Sequence, residues 1–101
     1  MHLHEVIAGL SECPAETMIF AERIGGQFRL ESAAVVLELS ETDLSRPVSE
    51  VAAERAPGME YFLEASIALE MLSELRAKPL TKRPDLAAIV EMIISYAEHD
   101  A

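Results

Sequence analysis

Ala33-Ala34-Val35-Val36-Leu37-Glu38-Leu39 is the stretch on which the fold turns. Its run of aliphatic side chains has the character of a strand buried on both faces. A helix through Leu30, Ala33, Ala34 and Leu37 is the competing reading. The Val-Val pair and the short run favour the strand, because β-branched side chains are stiff at χ1 and crowd a helix. With a strand here, the chain is expected to be mixed α and β.

Working upstream, residues 17–24 alternate so that Met18, Phe20 and Ile24 share a face, and Gly25-Gly26 follows. Such a dipeptide supplies the positive φ of a tight hairpin. Gln27-Phe28-Arg29-Leu30-Glu31 then alternates polar and apolar, which predicts the second arm of that hairpin. Earlier still, Leu3, Val6, Ile7 and Leu10 mark one face of a short helix, stopped by Cys13-Pro14.

Working downstream, residues 40–45 read as a polar acidic loop. Pro47 at the start, Val48, Val51 and Ala52 on one face and Pro57-Gly58 at the end frame a helix. Met59-Glu60-Tyr61-Phe62-Leu63 is a second buried-strand candidate. Strand, helix and strand in so short a span predict a parallel pair joined by a crossover. Ile67, Ala68, Met71, Leu72 and Leu75 form the next amphipathic helix, with Ser66 placed to cap it. Pro84 and Asp85 start the last helix, residues 86–99, on a stripe of Leu86, Ile89, Val90, Ile93 and Ala97. The expected class is α+β: a single layer of four strands, a hairpin plus a parallel βαβ pair, with helices packed on it. The expected order is α-β-β-β-α-β-α-α.

The 101 residues leave room for one domain and one core. Acidic residues number 18 against 8 basic, a formal net charge of −10. Phosphate backbones need a surplus of Lys and Arg, so nucleic-acid binding is disfavoured. The one positive segment is residues 76–83, with Arg76, Lys78, Lys82 and Arg83. With five aromatic residues and no Trp, a base-stacking surface is excluded on supply. A single cysteine, Cys13, forbids an internal disulfide. No signal-peptide pattern opens the chain, and no apolar run approaches the roughly 20 residues of a membrane span. A cytoplasmic location without membrane attachment is expected.

No residue pattern announces catalysis, a cofactor or a metal. Cys13 lies between Glu12 and Glu16, acids that oppose a thiolate. His2 and His4 are two residues apart, whereas helical metal pairs use a spacing of four. Paired carboxylates are abundant. Glu38, Glu41 and Asp43 follow the first buried strand, where ligand crevices of open α/β sheets lie, and Glu60 is grouped with them as a candidate acidic crevice. Leu69 falls on the polar side of its helix, and Met92, Ile94 and Tyr96 widen the apolar face of the last one. These four form a candidate interface, with a homodimer on the last helix as one outcome.

Pro57-Gly58-Met59-Glu60-Tyr61-Phe62-Leu63-Glu64, two following helices and the ending Ser95-Tyr96-Ala97-Glu98-His99-Asp100-Ala101 resemble a group of small uncharacterised bacterial proteins. Such proteins are similar to products of mobile elements, including integron gene cassettes and toxin-immunity proteins. The resemblance implies the element order and carries over no catalytic residue. Charge and missing motifs together predict a non-enzymatic acidic module that binds a protein partner, a basic toxin or effector being the type. A small-ligand-binding or enzymatic domain using the acidic crevice, and a purely self-associating protein, are the alternatives.

Overall fold

The computed structural model describes residues 1–10, 17–79, 81 and 84–99. Cys13, its acidic neighbours, and Lys82 and Arg83 of the basic segment lie outside the described residues. The described elements run α1 (Leu3–Ala8), β1 (Thr17–Ala21), β2 (Ala34–Glu38), α2 (Glu41–Leu44), α3 (Val48–Arg55), β3 (Glu60–Glu64), α4 (Ala65–Arg76) and α5 (Leu86–His99).

The three strands form one antiparallel sheet in the order β2-β1-β3. Val36 faces Ile19 and Val35 faces Phe20, while Tyr61 faces Phe20 from the other side. β1 is therefore central, and Ile19, Phe20 and Ala21 are fully buried. This corrects the expected four strands with an adjacent parallel pair. β2 and β3 do run in the same direction, since each is antiparallel to β1, but β1 lies between them. The α2–α3 connection spans that intervening strand as a split β-α-β unit. Sequence separation had suggested direct pairing; the apolar, uncharged β1 competes better for the centre, where both faces are dry.

The expected second hairpin arm is absent. The turn forms, with Gly25 at φ 63° and Gly26 at φ 85°, conformations that only glycine adopts freely. An isolated bridge joins Ile24 to Gln27. Beyond it, local bonds replace a ladder: Arg29 N–H donates to Ser32 Oγ at 2.8 Å, and Ser32 N–H to Arg29 O at 3.1 Å. Phe28 turns inward instead, its ring edge-on to Phe62 with centroids 5.0 Å apart.

The sheet's two faces are unequal. On the inner face Ile19, Ala21 and Ala34 pack with Leu3, Val6 and Ile7 of α1, Ala68 and Leu72 of α4, and the α5 stripe. That stripe buries Ile89, Val90, Ile93 and Ile94, each worth roughly 1.5–3 kcal/mol when removed from water. The outer face is covered by α3: Phe20 lies beneath Ala52 and Ala56, with Met18, Val35, Leu37, Met59 and Tyr61 half-buried around it.

A bulge makes the larger core possible. Ile19 faces Leu63 and Phe20 faces Tyr61, leaving Phe62 as an extra residue in β3. Ordinary alternation would send neighbours Phe62 and Leu63 to opposite faces, yet both are buried in the inner core.

Two helix starts differ from expectation. Residues 40–45 hold a short helix, begun by a reciprocal cap between Ser40 and Asp43. α4 starts directly after β3, with Glu64 rather than Ser66 at its N-cap position and no side-chain cap.

Candidate interaction surface

The four residues grouped as an acidic crevice do not meet. Glu38 is paired with Thr17 at one end of β1, and Glu60 with Ala21 at the other. Four residues along β1 offset them lengthwise by about 13 Å at roughly 3.3 Å per residue, and β1 lies between their strands.

Asp43 is occupied structurally. Its Oδ2 accepts the Ser40 N–H at 3.1 Å and pairs with Arg55 Nη1 at 2.9 Å, while its own N–H donates to Ser40 Oγ at 3.2 Å. The Ser40 N–H bond first, then the Ser40 hydroxyl and Arg55, hold its carboxyl below the ordinary value. Arg55 Nη1 also donates to the Glu38 carbonyl at 3.2 Å, so the α2–α3 hairpin is clipped to the end of β2. Glu41 stays exposed in the first turn of α2.

Glu60 pairs with Arg23 at 2.9 Å, and Arg23 reaches Glu98 of α5 at 3.1 Å. The same Glu98 oxygen accepts the Phe28 N–H at 3.1 Å. This cluster locks the end of β1, the glycine turn, β3 and α5 together. It is a clamp between elements and no paired acid and base.

Of the candidate interface residues, Ile94 is buried and Tyr96 and Leu69 are half-buried against the core. Met92, 48% exposed, is the one that faces solvent. The fourteen-residue helix α5 thus spends Ile94 on its own domain, where α1 and α4 pack against the helix.

His2, His4 and Glu5 each place a ligand-type atom within 4.8 Å of the others. His2 and Glu5 cap α1: Glu5 Oε1 accepts from the His2 N–H at 3.0 Å and meets His2 Nδ1 at 2.9 Å. The His2 N–H bond is the main cause of the lowered Glu5 carboxyl pKa. His4 Nδ1 lies 2.8 Å from the Leu30 carbonyl, which makes that nitrogen the donor. A cation there would oppose the positive end of the helix.

The feature that sequence reading missed is a groove of ≈ 410 Å³ on the outer side of the sheet. Its walls are Val48, Ser49, Ala52 and Ala53 of α3, and Gly58, Met59, Glu60 and Tyr61 leading into β3. Gly58 at φ 83° creates it, reversing the chain after α3 while Met59 N–H donates to Ala56 O at 3.0 Å. Tyr61 lies edge-on to Phe20 with centroids 6.2 Å apart. Burial, and then the Glu64 charge, raise its phenol pKa. Leu44 and Val48 nearby in sequence are exposed at 55% and 40%. A Gly at the helix stop was visible in the sequence; the groove it produces needs the antiparallel placement of β3.

Among the described residues no helix is long and apolar enough to cross a membrane. Comparison of the chain with protein-family models, curated proteins and solved structures finds no match.

Proposed function

We propose that this chain is a non-enzymatic acidic module that binds a basic protein partner, of which a toxin or effector is the type. The observation that carries the reading is that three of its six arginines are spent within the domain, while Arg29 and Arg76 are exposed without an ion pair among the described residues. Arg23 is held by Glu60 and Glu98, Arg46 by Glu54 and more loosely Glu50, and Arg55 by Asp43. Glu22, Glu31, Glu41, Glu64, Glu70 and Glu91 remain exposed without an ion pair among the described residues. A surface of that sign attracts a basic partner and repels nucleic acid. The placement of carboxylates supports binding over catalysis, since those that come close to another group cap helices or clamp arginines.

The test compares partner capture by the native chain with capture by a variant carrying Gln at positions 41, 64, 70 and 91. The expected partner is basic, forms a stoichiometric complex by light scattering, and dissociates as salt rises. Equal retention by the Gln variant, or partners with no basic surplus, would sink the reading.

A further inference from the structure

We infer that the groove between α3 and β3 takes an extended basic segment of the partner, laid against the free edge of β3; this rests on the acidic-module reading above. The sheet has two edges, and the chain treats them differently. On the β2 edge, Ala34 N–H donates to Met1 O at 2.8 Å, Leu3 N–H donates to Ser32 O at 2.7 Å, and His2 bridges Ala33. Arg55 occupies the Glu38 carbonyl at the other end of that edge. An incoming strand finds it closed at both ends.

The β3 edge has no such cover among the described residues. Glu22 N–H donates to Ala33 O on the β2 side of β1. Antiparallel alternation then turns Ile19 and Ala21 toward β3, where they face Leu63 and Glu60. Tyr61 lies between those two and directs its N–H and C=O outward. The bulge at Phe62 and the start of α4 at Ala65 limit pairing beyond this point. The open stretch is therefore the one that walls the groove.

A strand added here alternates its side chains as any strand does. Those on the outer side enter the groove beside Val48, Ala52, Met59 and the Tyr61 ring, where small aliphatic groups fit. Those between them come beside Glu60, whose exposed carboxylate already holds Arg23 and has a second oxygen to offer, while Glu64, without an ion pair among the described residues, lies on the Tyr61 side of β3. Both acids are exposed. The ligand chemistry is thus a short extended segment alternating aliphatic residues with Lys or Arg. Because the backbone pairing is brief, groove filling and charge supply most of the affinity.

The probe is a capped heptapeptide alternating valine and lysine, with a valine–glutamate peptide as the control. Two further versions of the basic peptide are N-methylated on alternate amides, in opposite phases. Amide NMR shifts are expected at residues 48–53 and 59–61 on titration with the basic peptide. One methylated phase and the Ala53→Arg variant should each bind about tenfold more weakly. Equal binding of both methylated phases and the parent, or shifts centred on α4 or α5, would overturn the groove assignment while leaving the acidic-module reading standing. Binding of the acidic peptide as tightly as the basic one would remove both.

Discussion

The Arg23 guanidinium lies 4.2 Å from the centre of the Phe28 ring while its nitrogens hold Glu60 and Glu98. Phe28 in turn stands edge-on to Phe62 in the core. The surface clamp and the buried aromatic pair are thus one continuous stack. A cation over an aromatic face adds about 0.5–1 kcal/mol at exposed sites. Its ion pairs add similar amounts after solvent screening. Arg23→Ala is expected to destabilise by about 1–2 kcal/mol in urea unfolding, and Arg46→Ala, whose partner Glu54 is exposed, by clearly less. Equal effects of the two would mean the stack contributes nothing.

Phe62 is 2% exposed and closes the inner core from the bulge. Phe62→Ala should remove about 3–5 kcal/mol, a large share of the roughly 5–15 kcal/mol that stabilises a domain. Unfolding followed by circular dichroism checks it. A loss under about 1 kcal/mol would mean that the core collapses around the vacancy.

Acid should weaken the α2–α3 clip. The folded Asp43 carboxyl titrates below its ordinary value of 3.8, so its contribution is present above that pH. It disappears as pH falls through the lowered folded value. The melting-temperature gap between wild type and Asp43→Ala should be widest near neutrality and close at strongly acidic pH. A gap that persists unchanged in acid would show that charge is not what Asp43 supplies.

Tyr61 offers a direct readout of the groove. Its phenol ionises above the ordinary value of 10.0, chiefly because it is buried. Ultraviolet titration should show a late-ionising component that Tyr61→Phe removes. Occupation of the groove by the valine–lysine peptide buries the ring further and should delay that component. No delay at saturating peptide would place the peptide elsewhere.

The elements legible in sequence were those whose signal is local. The 3.6-residue stripes of α1, α4 and α5, the stop at Pro57-Gly58 and the glycine turn all stand where periodicity put them. The stretches 33–39 and 59–63 each contain a strand, although their pairing was misassigned. No local signal states that β1 rather than β3 lies beside β2; that follows from which strand is dry on both faces. The amphipathic alternation of residues 27–31 misled because Phe28 is required in the core and Ser32 offers the loop a local bond. Ser40-x-x-Asp43 was a readable capping signature, overlooked in a run of polar residues. Of the groove's lining, Glu60 carries a chemical signal in the sequence; Val48, Ala52, Ala53, Gly58 and Met59 are small or apolar residues that acquire meaning only side by side.

The extra residue in β3 gives this chain one place where its length is negotiable. Removing Phe62 would let Leu63 follow Tyr61 in a regular ladder, still opposite Ile19 and Phe20 respectively. Neither flank would change face. A single-residue deletion within β1 has no such freedom, because one step of slippage exchanges the two faces of a strand buried on both. An in-frame loss of one codon is therefore survivable in topology at position 62, at the expense of a core aromatic, and ruinous a few ångströms away.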